Sequence, residues 1–298
     1  ENLEFLSKKF GKKIPRGKFE EYVDLKYAKI LYEKYKLKLC KIAMLFKCSD
    51  VTLGEKLKKN GLKDRGRNFG INEDNNFFEK INSNKKAYWL GMLMADGCVR
   101  KDKRRNTFIV SLSLKKSDEY LIKQFIEDAN LTTKISYSHL EREDPLACIN
   151  VCSKKMHFDL LKLNVLPNKS KENSQCIPKE VPKKYLSDFI RGYYDGNGIC
   201  FSNGRIGFCG SKQILDQIRD ELILRKKVTE KVSVTYNRFN STYYLQYNTS
   251  KDVKKVLNYI YKNKVRYLTR KYNKYLELGL IEEKSLIKSS ENSKEVSE

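Results

Sequence analysis

Tyr88-Trp89-Leu90-Gly91-Met92-Leu93-Met94-Ala95-Asp96-Gly97 and Phe189-Ile190-Arg191-Gly192-Tyr193-Tyr194-Asp195-Gly196-Asn197-Gly198 are two copies of one pattern, 101 residues apart. Each is a largely apolar run that ends on a polar side chain followed by glycine. Gly91 and Ala95, like Gly192 and Gly196, set small residues four apart on one helical face. Two such helices can cross backbone to backbone, so these four residues are the expected helix interface.

Parallel packing across a pseudo-twofold axis would bring both C-termini together, and with them Asp96 and Asn197. Converging helix ends add negative dipole charge to the carboxylate. A divalent cation would relieve it, and Mg²⁺ is the expected ion because only oxygen ligands are on offer. The surrounding sequence repeats in step. Lys116-Ser117-Asp118 opens an amphipathic helix as Gly210-Ser211-Lys212 does, and Cys152-Ser153-Lys154 corresponds to Thr249-Ser250-Lys251. Alternating runs predict strands over 108–114, 134–138 and 148–152 in the first half, and over 205–209, 231–236 and 243–247 in the second. Each half is expected to run helix, hairpin, helix, hairpin, helix.

With Phe78-x-x-Ile81-Asn82-Ser83 ahead of the first copy and Tyr267-Leu268-Thr269-Arg270-Lys271-Tyr272 behind the second, residues 76–278 resemble a single-chain LAGLIDADG homing endonuclease. The resemblance implies an α+β fold, a pseudo-twofold αββαββα repeat whose two antiparallel sheets form a saddle over DNA. The first repeat would span 83–173 and the second 174–280. It implies that Asp96 and Asn197 occupy the catalytic metal positions, with the backbone carbonyls of Ala95 and Gly196 assisting and two or more ions per active centre. Metal-bound water would then hydrolyse a phosphodiester in each strand. A basic residue near each scissile phosphate is also implied: Lys169, in Leu166-Pro167-Asn168-Lys169-Ser170, and Lys271 or Arg270 as its second-half counterpart. The tip Lys101, Lys103, Arg104 and Arg105, and the strands carrying Arg205 and Arg238, would follow the major groove.

Asn197 departs from the pattern, because an amide oxygen can ligate a metal but brings no charge. Three accounts stand open: an introduced Asp→Asn change, a natural nicking or inactive form, or replacement by Asp195. Neighbouring helical side chains diverge by about 100°, which weighs against Asp195.

Residues 26–62 predict three short helices, with Tyr27, Ile30, Leu31 and Tyr35, then Leu39, Ile42, Ala43 and Phe46, then Leu53 and Leu57 at helical spacing. Ser49 is the expected N-cap of the third, and Asn60-Gly61 its stop. This resembles a helix-turn-helix of the resolvase type, although Lys47 stands where that family usually has Gly. The resemblance places Asp50, Thr52, Glu55, Lys56 and Lys59 against bases and phosphates. A 1–63 DNA-binding domain, a 64–82 linker with an aromatic anchor and a disordered 281–298 tail complete the expected organisation.

Composition agrees on the partner. Lys plus Arg number 61 against 37 Asp plus Glu, a net charge of +24 in 298 residues. Such a surplus, spread over the chain and interleaved with Tyr and Phe, points to nucleic acid rather than a lipid surface. No apolar run reaches the roughly 20 residues a bilayer requires. The opening residues have no apolar signal core, so a cytoplasmic monomer acting on double-stranded DNA is expected. Eight cysteines without a CxxC pair, and only two histidines, speak against zinc and a His-centred site. The functional expectation is a site-specific DNA endonuclease; the alternatives are a non-catalytic transcription regulator of helix-turn-helix plus LAGLIDADG type, or a group I intron maturase.

Overall fold

The computed structural model describes residues 23–35, 37, 39–62, 76–102, 104, 106–167, 175–226 and 228–282. The chain divides into two compact units, 1–72 and 73–298.

In the first unit, helices α1 (Leu25–Glu33), α2 (Leu39–Leu45) and α3 (Asp50–Lys59) enclose a small core of Ala28, Leu31, Tyr32, Ile42, Ala43, Phe46, Leu53 and Leu57. Asp24 caps α1 by accepting the Tyr27 N–H at 2.9 Å. Ile30 and Tyr35, expected on the apolar stripe, are exposed, because the inward face of α1 runs through 28, 31 and 32 instead. Ser49 has N-cap backbone geometry but makes no side-chain cap bond. Lys47 itself takes the left-handed conformation (φ 49°) that ends α2, and the Cys48 N–H closes the turn on the Ala43 carbonyl at 3.0 Å.

The second unit is mixed α and β. Its first half runs α4 (Asn84–Ala95), β1 (Gly97–Asp102), β2 (Thr107–Lys115), α5 (Glu119–Asp128), β3 (Ser136–Ser138), β4 (Leu146–Cys152) and α6 (Lys154–Lys162). The second runs α7 (Leu186–Asn197), β5 (Gly198–Cys200), β6 (Ile206–Gly210), α8 (Lys212–Lys226), β7 (Thr235–Asn237), β8 (Thr242–Tyr247) and α9 (Ser250–Tyr261), followed by α10 (Thr269–Glu277). Both sheets are four-stranded and antiparallel, ordered β1-β2-β4-β3 and β5-β6-β8-β7. Their registers correspond, Gly97 pairing with Leu112 as Gly198 pairs with Phe208.

Strand alternation turns Val99, Val110, Leu112, Ile149 and Val151 inward against the helices, and Cys98, Arg100, Ser113, Lys115 and Asn150 outward. Phe77, Phe78 and Ile81 are buried in the same core as Phe125 and Trp89, so residues from Phe77 onward belong to this unit and not to the expected 64–82 linker. The Phe77, Phe78 and Phe125 rings meet edge-to-face or tilted, with centroids 4.8–6.4 Å apart, and hold them there. Among the described residues no helix is long and apolar enough to cross a membrane.

Candidate active site

Helices α4 and α7 form the centre of the second unit, and their contact is set by glycine. A Cβ on Gly91 would lie 2.1 Å from the Phe189 carbonyl oxygen, and one on Gly192 would lie 2.0 Å from that of Tyr88. No side chain fits at either crossing point. One turn further on, a Cβ on Gly196 would meet the Ala95 Cβ at 2.4 Å and an Asp96 carboxylate oxygen at 3.1 Å. The four small residues of the two motifs therefore meet, and the Asp96 carboxylate rests over the last turn of α7.

Asp96 is the C-cap of α4 and is exposed. Beside it opens a cavity of about 220 Å³ lined by Asp96, Ser113, Lys115, Asp118, Gly196 and Arg270, among others. Asp118 is buried and accepts the Arg270 Nε–H at 3.0 Å. Arg270, expected to serve the second half, thus lines the pocket of the first motif. The α4 end is finished by Gln175, a buried side chain whose Nε2 donates to the Met94 carbonyl at 3.1 Å.

The α7 end is built differently. Asn197 is half-buried beside the Tyr193 side chain. The Tyr193 hydroxyl donates to the Cys209 carbonyl at 3.0 Å, and the Cys209 thiol donates to the Asn197 carbonyl at 2.9 Å. Lys271, expected beside a phosphate, is buried instead. Its ammonium donates to the carbonyls of Tyr194 (2.8 Å), Asp195 (2.9 Å) and Gly198 (2.6 Å), consuming all three protons as a cap on α7. Burial pulls its pKa down from 10.5 to about 8, against the opposing pull of Asp195.

Asp195 is no substitute for the missing acid. It is buried and accepts hydrogen bonds from the Tyr88 hydroxyl (2.8 Å), the Leu268 N–H (2.8 Å) and the Tyr261 hydroxyl (3.3 Å). Burial raises its pKa, while Lys271 and these donors oppose the rise. Asp195 also lines the Asp96 cavity, but with its carboxylate oxygens engaged by these donors it is held differently from the exposed Asp96.

Among the described residues no group of three or more His, Cys, Asp or Glu could hold a metal ion by itself. The test of fit to Mg²⁺ therefore turns on one carboxylate with substrate oxygens. Mg²⁺ characteristically takes one or two carboxylates, keeps several waters and completes its shell with phosphate. The exposed Asp96 beside an open cavity fits that donor set. The α7 end does not, because its charge is supplied by an ammonium and the Tyr194, Asp195, Asn197 and Gly198 carbonyls already accept hydrogen bonds.

The remaining expected residues fall in several places. Asp50, Thr52 and Lys59 are exposed on α3, and Lys56 is partly so. Lys101 is exposed on β1 with its ammonium 5.2 Å from the centre of the Phe108 ring, and Arg104 is exposed in the β1–β2 turn. Lys103, Arg105 and Lys169 lie outside the described residues. Arg205 and Arg238, expected on strands, lie just outside them: Arg205 precedes β6, bonded to Asn203 (2.9 Å) with its guanidinium 5.5 Å from the centre of the Phe201 ring, and Arg238 opens the β7–β8 turn. The outward residues Arg100 and Lys115 were missed, although period-two alternation against Val99 and Leu114 marks both.

No protein-family model and no curated protein matches the chain. Solved structures resemble it over about two thirds of its length. I-SmaMI bound to uncleaved DNA target in the presence of calcium ions is 13% identical, with 64% of this chain and 88% of that one covered and a TM-score of 0.42. The I-LtrWI LAGLIDADG homing endonuclease bound to target DNA is 12% identical, with 69% and 90% covered and a TM-score of 0.43. An I-DmoI variant with its target DNA nicked in the coding strand, in the presence of Mn, is 17% identical, with 65% and 99% covered and a TM-score of 0.42. At these identities and scores they decide nothing about chemistry, which this chain's own residues must carry.

Proposed function

We propose that the chain is a site-specific DNA endonuclease of the LAGLIDADG kind, using a divalent cation, Mg²⁺ above all, at a single competent motif end. The observation that carries the reading is the convergence of the two motif ends: a Cβ on Gly196 would lie 2.4 Å from the Ala95 Cβ and 3.1 Å from an Asp96 carboxylate oxygen. Asp96 would hold the cation with the Ala95 and Gly196 carbonyls. That ion, when bound, supplies Lewis acidity and a nucleophilic water at the phosphate. The chain itself orients the phosphate: Arg270, fixed by Asp118, presents positive charge to the cavity in which Asp96 is the exposed acid, and Lys115, paired with Asp144 at 3.5 Å, lies on its rim. Asp195 and Lys271 hold the α7 end in place and take no part in bond cleavage.

The second end, with a neutral Asn197 over a capped helix terminus, would bind a cation poorly, so one strand is expected to be cut. In this reading the three-helix unit is a DNA-reading head presenting Asp50, Thr52, Lys56 and Lys59. Asn197 is also the one feature that favours the second reading, a DNA-binding regulator without activity. The parent protein and Asn197→Asp, each incubated with Mg²⁺ and a randomised duplex library, separate the two. Nicks from the parent and double-strand cuts from Asn197→Asp support the nuclease. Retained but intact DNA with both proteins leaves the regulator.

A further inference from the structure

Helix α9 packs on α7 and α8, the helices that back the second sheet, with Val253, Val256 and Ile260 buried. Its opposite face carries a ridge of Lys254, Asn258 and the C-cap Lys262, set four residues apart and exposed. The ridge covers about 12 Å of helix axis. None of the three side chains makes an ion pair or a hydrogen bond among the described residues. Along the ridge opens a cavity of about 330 Å³ that shares no lining residue with the Asp96 cavity.

The wall facing the ridge is apolar and fixed in place. Helix α10 stops at Gly279 (φ 64°), whose N–H donates to the Leu276 carbonyl while the Leu280 N–H donates to that of Tyr275, both at 2.9 Å. This left-handed stop satisfies two terminal carbonyls and turns Leu280 and Ile281 back to line the cavity. Leu280 rests against Gly204, where an added Cβ would lie 3.0 Å from its Cδ1. Leu257, Tyr261 and Tyr272 complete the apolar lining, and Glu282 stands at the rim.

The volume suits a small ligand, and the two walls define its chemistry. One is apolar; the other sets an amide, donor and acceptor at once, between two ammonium groups. A fatty acid would leave the amide and one lysine unused, and an inorganic anion would leave the apolar wall unused. A nucleotide engages every part, its base flat against the apolar wall and edge-on to the amide, its phosphates on the lysines. We infer that this cavity is a nucleotide-binding site in which Asn258 meets the base edge and Lys254 and Lys262 hold phosphate. The site goes beyond the proposed cleavage and lies on the helical side of the second half. It also touches that half's motif end, because Tyr261 lines the cavity and its hydroxyl donates to Asp195 at 3.3 Å.

Titration calorimetry of the full-length protein with adenosine 3′,5′-bisphosphate, at physiological salt, tests the site. Binding should be at least about tenfold tighter than that of inorganic phosphate, because only the nucleotide covers the apolar wall. Lys254→Ala, Lys262→Ala and Asn258→Leu should each weaken it about tenfold. All three positions are exposed, so the substitutions leave the core untouched. Lys251→Ala removes the same charge from α9 outside the cavity and should leave the affinity unchanged. Equal weakening by Lys251→Ala, or a bisphosphate bound no more tightly than phosphate, overturns the inference. So does binding confined to a single-stranded oligonucleotide, which would make the ridge a strand contact instead of a nucleotide site. None of these results bears on Asp96, so the inference and the proposed nuclease stand or fall separately.

Discussion

The two motif ends share one packing scheme but are capped by different side chains. At the α4 end a neutral amide, Gln175, caps the helix and an acid, Asp96, stands in the open. At the α7 end a cation, Lys271, caps the helix and a neutral amide, Asn197, stands beside it. Met94 and Asp195, whose carbonyls receive these two caps, are equivalent positions of the repeat, so the difference occurs at matched places. A pseudo-symmetric scaffold can thus keep its contact geometry while its two ends differ in charged groups, because packing depends on shape; the proposed nicking activity would follow from that difference. One end exposes a carboxylate next to the paired Asp118 and Arg270, and the other encloses an ammonium among its own carbonyls.

The largest expected effect comes from removing that difference at Asp96. Asp96→Asn makes both ends neutral at the motif position, and cleavage should fall by at least about a thousandfold, about 4 kcal/mol in the barrier. DNA retention should persist, because the exposed cations are untouched. A gel separating nicked from intact circular DNA, beside a binding assay on the same preparation, measures both. Cleavage at the parental rate would show that Asp96 is not the cation-holding group. Chelation should have the same consequence for the parent protein as the substitution.

Packing should respond symmetrically where chemistry does not. Gly91→Ala and Gly192→Ala each drive a methyl to about 2 Å from a backbone carbonyl oxygen, and the helices can relieve it only by separating. Each should cost about 3 kcal/mol, the upper part of the range for overpacking. Denaturant unfolding of the two variants tests the equivalence. A variant that unfolds like the parent would mean that the crossing is looser than a 2 Å approach allows, and unequal losses would mean that the dyad is broken in the core as well as at its ends.

How much of this was open to inspection in the sequence follows from the range of each interaction. The small-residue stripes, the motif termini and the three N-terminal helices depend on spacings of three to four residues, and these are visible along the chain. Strand ends were less so: 231–236 shortened to β7 at 235–237 because pairing with β8, and not alternation, determines where the ladder begins. The caps were not legible at all. Lys271 meets carbonyls 73 to 77 positions away and Arg270 meets a carboxylate 152 positions away. Nothing in Arg270-Lys271 says which residue turns to the Asp96 cavity and which disappears under α7; their roughly 100° separation on α10 decides it. Phe77 and Phe78 were misplaced in a linker for the same reason, since the ring that anchors them, Phe125, is distant in sequence.

The smallest effect probes the caps themselves. Folded, Lys271 releases its proton near pH 8, and unfolded it holds the proton to the ordinary lysine value of 10.5. Between about pH 8 and 10 the unfolded state therefore binds more protons, and stability from this group rises with pH, by on the order of 1 kcal/mol. Above pH 10 the buried tyrosines act the other way, since Tyr88, Tyr194 and Tyr261 all keep their protons longer folded than unfolded. Denaturant midpoints taken across the pH 8–10 window should climb relative to those of Lys271→Met, in which the half-buried Cys209 thiol, its pKa raised by burial, leaves a fall with pH that the parent shares. Gln175→Met is the matched control at the other end. It leaves the Met94 carbonyl without that donor and should lower stability by about 1 kcal/mol at every pH, with the parental pH profile intact. If the parental profile followed Gln175 or survived Lys271→Met, the ammonium would not be the charge that distinguishes the α7 end, and the contrast between the two ends would reduce to Asp96 against Asn197 alone.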